Sequence, residues 1–465
     1  MLELISLILT LFVLAYVVRT LIFLYRAWAY SFLSGQIAIS TPALSPLITL
    51  APDKIHSITP TENLVFHDSN VKQTAICTHI ESNASRLGLP VGARTEPPIV
   101  SLIIPTHNEE SVIEPLLKSL ESLTYDKDRF EIIIVDDSTD RTADILEQSK
   151  NRFENLTMVK RTERHGWKGG ALNLALQSIR DDSLWTIIVD ADTILPPDII
   201  EKFLHKASKS NEMCVAIQGY CLPYNNSFCL GIESSNWISK GIEFRLAQRN
   251  IVEFVAKEKL GLPLQITGSL FMIRTSMLKE IGFSTDVCED WDLSLRLFLR
   301  QAAVVFDENL NAASQTTTSF ASYFKQRLRV SEGHTRGFFK HIPEIVKQRQ
   351  SLKNKVEVCF TGLHYLKLTF IACILLLDIG IISISGLNLF SVTVGISLSI
   401  QIFCLISIVA FNILCTIICA RIKKYTPIFL MSKLALDICT FPAVVIGTLL
   451  VIFRKNGNFY KTERI

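Results

Sequence analysis

Leu184-Trp185-Thr186-Ile187-Ile188-Val189-Asp190-Ala191-Asp192 is the stretch on which the fold turns. Its short apolar run predicts a buried strand from Leu184 to Val189. The strand ends on two carboxylates one residue apart. Alternate side chains of an extended segment point the same way, so Asp190 and Asp192 suit one hard cation and the diphosphate it bridges. A surface turn explains most Asp-x-Asp triplets taken alone; a place directly after a buried strand favours the site.

The same pattern recurs upstream. Ile99 to Pro105 reads as a short apolar strand ending in a turn, followed by a helix from Ser111 to Leu123. Glu131 to Asp137 reads as a second buried strand ending in two acids, Asp136 and Asp137. Thr142 to Lys150 reads as a helix, Thr157 to Lys160 as a strand and Ala171 to Ile179 as a helix. Strands alternating with helices predict an α/β domain with a doubly wound parallel sheet. Such sheets bind ligands beyond the carboxyl ends of their strands, where both acidic clusters fall.

Hydrophobic residues make up 49% of the 465 and the mean hydropathy is positive, which is high for a wholly soluble protein, and they are unevenly placed. They concentrate in Leu4 to Tyr25, Leu368 to Ser385, Ser391 to Cys419 and Ile428 to Phe453, the last interrupted by Lys433, Asp437 and Pro442. The first reads as an uncleaved anchor in which Arg19, near one end, can snorkel. The later three predict helical membrane segments or, for the interrupted one, an interfacial or re-entrant piece. Asp378 within its apolar run either lines a path or sits at a kinked or interfacial position. Glu344 to Leu366 reads as an interfacial helix. Arg19, Arg26, Arg421, Lys423, Lys424, Arg454, Lys455 and Lys461 flank these segments, as positive residues retained on the cytosolic side do. A net charge of +3 gives no reason to expect nucleic acid, and eleven cysteines without a CxxC pair give no disulfide or zinc framework.

Two further clusters carry chemistry. Glu289-Asp290 opens an amphipathic helix, where a carboxylate either complements the helix dipole or acts as a general base facing a cleft. Gln326 and Arg329, three apart, share a helical face, either a solvated one or one whose Arg neutralises a leaving diphosphate. Asp136-Asp137-Ser138-Thr139-Asp140 also reads as a capped helix start.

In order, these clusters resemble the D, D, D, QxxRW series of the processive family-2 glycosyltransferases, the cellulose, hyaluronan, chitin and mannan synthases. The series is carried by Asp136 or Asp137, by Asp190 with Asp192, by Asp290 of Cys288-Glu289-Asp290, and by Gln326 with Arg329. Supporting matches are Ile104-Pro105-Thr106-His107-Asn108-Glu109-Glu110, Gly166-Trp167-Lys168-Gly169-Gly170 and Thr267-Gly268-Ser269-Leu270. The resemblance implies a GT-A-type nucleotide-sugar-binding domain joined to α-helical transmembrane segments. It implies a UDP- or GDP-sugar donor held by Pro105, Glu109, Asp136, Asp137, Lys168, Asp190, Gln326 and Arg329, and Mg²⁺ or Mn²⁺ on Asp190 and Asp192. Asp290, with Glu289 beside it, serves as catalytic base, Gly268 and Ser269 lie on the acceptor side, and transfer inverts the anomeric centre. Phe459-Tyr460-Lys461-Thr462-Glu463-Arg464 is similar to the FxVTxK gating segment of cellulose synthase, which would give Phe459 and Thr462 a gating role; a frayed basic tail is the alternative.

The implied organisation is an anchor over 1–30, a connecting region over 31–98, a cytosolic catalytic domain over 99–343, an interfacial helix over 344–366, membrane helices over 367–453 and a tail over 454–465. The expected protein is integral to a membrane: the plasma membrane of a prokaryote, or the Golgi or plasma membrane of a eukaryote. Its acceptor is a growing polysaccharide, with single transfer to a polyprenyl phosphate or ceramide type of lipid as the alternative. The Trp that ends QxxRW is Val330 here, which cannot stack under an acceptor sugar. Processivity then requires another aromatic, such as Trp291, Phe338 or Phe339, in that role.

Overall fold

Strand β1 (Val100–Thr106) lies inside the sheet, with a paired strand on either side. Its residues are apolar on both faces because both faces are covered, as in parallel sheets flanked by helices. It pairs in parallel with β2 (Phe130–Asp136) on one side and β4 (Trp185–Ile188) on the other, and β3 (Leu156–Lys160) extends the parallel half beyond β2. The computed structural model describes residues 2–34, 96–224, 236–385, 392–422 and 425–453. The tail with Phe459 and Thr462, most of the connecting region, and Lys423, Lys424, Arg454, Lys455 and Lys461 lie outside the described residues.

The register places Thr106 opposite Asp136, so β1 and β2 end together, while β4 ends earlier, at Ile188 opposite Ile103. Leu102, Ile104, Ile132 and Ile134 point to one face, against α2 (Ile113–Glu121) and α5 (Ile199–Lys209). Ile103, Ile133 and Val135 point to the other, against α4 (Trp167–Leu176) and α9 (Glu289–Leu299). Helix α3 (Thr142–Ser149) joins β2 to β3. Helices on both faces of one sheet give three layers.

The remaining strands depart from the parallel expectation. β7 (Phe271–Arg274) is antiparallel to β4, and β6 (Cys214–Tyr224) is antiparallel to β7. β8 (Ala303–Gln315) is parallel to β6, and β5 (Thr193–Ile194) is antiparallel to β8. The result is a mixed eight-stranded sheet in the order β3-β2-β1-β4-β7-β6-β8-β5. The second half escaped the sequence reading for a physical reason. β6 contains Gly219 and Pro223, and β8 contains Asp307, Glu308, Asn309 and Asn311, which break the apolar periodicity a strand ordinarily shows.

Helix α1 (Leu2–Ser34) is joined to the catalytic domain by charge. Arg19 does not snorkel outward. Its Nε donates to Glu357 Oε2 at 2.8 Å and its Nη2 to Glu253 Oε1 at 3.0 Å. Lys257, fully buried, lies 3.1 Å from Glu357 and 3.2 Å from Glu253. Two carboxylates and two cations thus neutralise one another inside the protein, which a buried charge requires. Glu253 sits in a π-helical turn, Gln248–Phe254, between α6 (Trp237–Ala247) and α7 (Val255–Leu260). Helix α8 (Thr275–Ile281) follows β7.

Glu344 to Leu366, expected to form one interfacial helix, is divided. Helix α10 (Phe320–Lys347) carries Glu344 in its last turn, and the chain then turns extended at Gln348. Helix α11 (Leu352–Gly362) starts afresh, capped by the Ser351 side chain accepting from Asn354 N. α11 meets α12 (Leu366–Ser385) at a bend of 66°. Among the described residues, three helical stretches are long and apolar enough to cross a membrane: Leu4–Ala29 of α1, Leu398–Cys419 of α13 (Val392–Ile422), and α14 (Pro427–Phe453). The bent α11–α12 pair is a broken span or a re-entrant loop. Lys433 and Asp437 do not interrupt α14. They lie 2.8 Å apart, Lys433 Nζ donates to Asn412 Oδ1 at 2.8 Å, and Asp437 accepts from Arg245. Asp378 accepts from Ser6 Oγ and Gln401 Nε2, both at 2.9 Å, so this carboxylate ties α12 to α1 and α13.

Gly447 brings α14 against the backbone of α10, where a Cβ would collide with the Leu328 carbonyl and the Ser331 hydroxyl. Gln326, Arg329 and Val330 occupy that same turn. Gly447→Leu is therefore expected to displace α10 and lower sugar transfer roughly ten- to hundred-fold while the chain still folds. Transfer rate in membranes, beside resistance to proteolysis in detergent, checks this. An unchanged rate means that the contact does not position this turn.

Candidate active site

The carboxyl ends of β1, β2 and β4 open onto a cavity of about 1190 Å³. Pro105, Glu109, Asp137, Lys168, Asp190, Asp192, Gly268, Ser269, Glu289, Asp290, Gln326 and Arg329 all line it. Asp136 does not. Its Oδ1 accepts from Thr106 Oγ1 at 2.8 Å and Ser138 Oγ at 2.6 Å, which ties the end of β2 to β1 and to the loop after it. Of the two acids, Asp137 is the one that faces the cavity, oriented by Arg161 Nη1 at 3.2 Å and His107 Nδ1 at 2.9 Å.

Lys168 opens α4 directly after Gly166 and Trp167, both in the left-handed region. Its Nζ donates to Asp190 Oδ1 at 2.5 Å and to Gly268 O at 2.7 Å, and lies 3.6 Å from Glu289 Oε1. Burial pulls this ammonium down, but Asp190, Glu289 and Asp290 outweigh it and hold it above the usual lysine value. Gly268, at φ +83°, leaves room for Asp290: a Cβ there would lie 3.2 Å from Asp290 Oδ2. Ser269 Oγ accepts from Asp190 N at 3.0 Å. The loop read as acceptor-side therefore also holds the Asp190 strand end in place.

Glu289 and Asp290 occupy the first turn of α9, and Asp290 Oδ1 accepts from Trp291 N at 2.8 Å. Burial raises both carboxyls, Glu289 to about 7, against the lowering effect of Lys168. A carboxylate poised this way takes a proton near neutral pH. Asp192 Oδ2 accepts from Ser314 Oγ at 3.1 Å. A lone serine in a polar strand carries no signal in the sequence, so the role of Ser314 was not legible there.

Asp190 and Asp192 present hard oxygen donors at one strand end. Among the described residues no group of three His, Cys, Asp or Glu side chains converges on a metal position. Two carboxylates completed by substrate phosphates and water are what a Mg²⁺ or Mn²⁺ site of this type needs. The residues present fit such a cation.

Val330 lines the cavity, and one helical turn on so does His334. The His334 ring stacks on Trp291, with centroids 4.3 Å apart and planes 11° from parallel. Burial, with Arg327 and Lys257 near, lowers His334 to about 3, so the ring is neutral. Phe338 is fully buried among Trp291, Leu295 and Val358, and Phe339 does not line the cavity. Of the three aromatics named from the sequence, Trp291 is the one at the site. His334 was missed because a lone histidine on a helix carries no signal.

Residues 101–281 match the family profile described as Glycosyl transferase family 2. The chain carries a family 2 glycosyltransferase domain. It is 28% identical over 279 residues to a beta-monoglucosyldiacylglycerol synthase of Synechocystis sp., covering 58% of this chain and 55% of that one. It is 27% identical over 275 residues to a probable glucomannan 4-beta-mannosyltransferase of Arabidopsis thaliana, covering 57% and 50%. The chain thus spans about half the length of these curated relatives. A solved mannosyltransferase from Pyrobaculum calidifontis, in complex with GDP-Man and Mn²⁺, superposes over 81% of this chain and 95% of its own at 18% identity and a TM-score of 0.51. That likeness is one of fold, and the domain is GT-A-like.

The carboxylate pair sets the pH dependence. A base works only when ionised, and burial raises Asp290, so kcat/KM for the acceptor is expected to rise with pH along an acid limb above the usual carboxylate range and then level. Lys168 lowers both carboxyls, so Lys168→Met removes that pull and moves the acid limb upward by about one pH unit. A pH–rate profile at saturating donor measures this; an acid limb that stays put means Lys168 does not tune the base.

Proposed function

We propose that the chain is a membrane-bound, metal-dependent, inverting hexosyltransferase. It takes a UDP- or GDP-sugar at the strand ends and delivers the sugar to an acceptor anchored in the membrane. Supporting this is one observation: the cavity that holds Asp137, Lys168, Asp190, Asp192 and Asp290 continues between the apolar helices, where Val13, Val17, Leu368, Ile371 and Leu375 line it. Asp137 and Lys168 bind the donor, and Arg329 with Gln326 faces the diphosphate. Asp190 and Asp192 hold Mg²⁺ or Mn²⁺, which when bound neutralises charge on that diphosphate. Asp290 takes the proton of the acceptor hydroxyl as its oxygen bonds to the anomeric carbon. The bond from that carbon to the nucleotide diphosphate breaks, and its electron pair leaves with the diphosphate. Attack from the face opposite the leaving group inverts the centre.

One crossing by α1 before the domain and two by α13 and α14 after it keep the domain and the tail on one side, the cytosolic one, with the α11–α12 pair re-entrant. Val330 and the apolar lining favour a lipid-anchored acceptor. The second reading, extension of a growing polysaccharide, is favoured by the Trp291–His334 stack, an aromatic surface one turn from the place where the synthases carry Trp.

A donor screen on the purified chain with product sizing tests both readings. Lipid-extractable products that grow by one sugar support the first, and long polymer beside untouched acceptor supports the second. Asp190→Asn, Asp192→Asn and chelation are each expected to remove nearly all transfer. Full activity in chelator without added Mg²⁺ or Mn²⁺ rejects the metal assignment.

A further inference from the structure

Beyond Asp290 the cavity holds three cations that, among the described residues, lie outside ion-pairing distance of a carboxylate, with Glu253 acting on Arg249 and Lys367 from farther off. Arg327 Nη1 reaches the Tyr365 hydroxyl at 3.3 Å, while its Nε is buried without a hydrogen-bond partner. Arg249 Nε donates to the Asn250 amide oxygen at 3.2 Å. Lys367 Nζ lies over the Tyr16 ring, 4.9 Å from its centroid. All three line the cavity, and among the described residues none lies within ion-pairing distance of a carboxylate. The two carboxylates that line this end are already engaged. Glu253 pairs with Arg19 and Lys257, and Asp437 pairs with Arg245 and Lys433. Desolvated cations are ordinarily paired, and guanidinium groups match the geometry of phosphate oxygens.

Contacts place Arg327 along the cavity; the other two lie near it, since Tyr365 also acts on Arg249, and Lys367 and Arg327 both act on His364. Asp290 is followed by Trp291, which stacks on His334; the His334 ring meets the edge of Tyr365 at 5.1 Å, and Tyr365 meets Arg327. An aromatic pair thus lies between the base and Arg327, and apolar residues of α1 and α12 line the cavity with them. An acceptor that satisfies the series has a sugar hydroxyl at the base, a sugar face on the ring pair, an anionic group at the cations and an apolar tail between the helices.

We propose that Arg249, Arg327 and Lys367 bind the phosphate of a lipid-linked sugar phosphate, the acceptor whose hydroxyl faces Asp290. This deepens the lipid-anchored reading above and rests on it. The probes are geranylgeranyl diphosphate, geranylgeraniol and inorganic pyrophosphate. Each is titrated against the full chain in detergent, with UDP or GDP saturating the donor side, and tryptophan fluorescence reports binding. Geranylgeranyl diphosphate is expected to bind at least ten-fold tighter than either the alcohol or pyrophosphate. Arg327→Gln and Arg249→Gln are each expected to weaken it at least five-fold with nucleotide affinity unchanged. Equal binding of the alcohol overturns the phosphate assignment, and equal binding of pyrophosphate overturns the lipid one. Wild-type affinity in both variants overturns the residue assignment. Nucleotide binding and donor hydrolysis, read on the same samples, test the transferase reading separately.

Discussion

A single ammonium joins the parts of this site. Lys168 touches the carboxylate at the end of β4, the carbonyl of the glycine loop before β7, and the neighbourhood of Glu289 on α9. These three segments are far apart in the chain and each carries groups that repel the others. Three carboxyls crowded into a buried cleft stay together only if a cation lies among them. The positive φ at Gly268 lets its carbonyl face that cation without crowding Asp290. The carboxyl ends of β1, β2 and β4 put Asp137 and Asp190 on one cavity, and Lys168 then sets how the remaining groups gather around them.

The second constraint is the burial of charge where the domain meets its apolar helices. Arg19, Lys257, Glu253 and Glu357 neutralise one another, and Arg245, Asp437 and Lys433 do likewise. These groups come from α1, α6, α7, α11 and α14 as well as the π-helical turn, so ionic contacts hold the helices to the domain. The π-turn is well placed for this, since its widened spacing directs Glu253 toward α1 and Arg249 into the cavity. Because the surrounding charges are neutralised, the cations near Tyr365 that lie outside ion-pairing distance of a carboxylate stand out.

Much of the donor half was legible in the chain because its signals are local. A buried apolar run ending in acids is one strand reporting on its own surroundings, and this happened at β2 and β4. The choice between Asp136 and Asp137 was not legible: it depends on Thr106 and Ser138 satisfying one of the two carboxylates. The mixed half of the sheet was hidden by glycine, proline and polar residues within β6 and β8. The division at Gln348 was hidden because helical periodicity continues across it.

By itself the sequence determined the parallel strands of the domain, the apolar segments at both ends and the ordered set of acids, since each depends on residue type and short spacing. Tertiary structure decided which acid faces the cavity, what replaces the aromatic lost at Val330, and which cations lie outside ion-pairing distance of a carboxylate. Those outcomes depend on side chains brought together from distant segments: Trp291 with His334, Ser314 with Asp192, Arg19 with Glu357. A pairing between separate elements has no period and leaves no local trace, so only the packed chain records it.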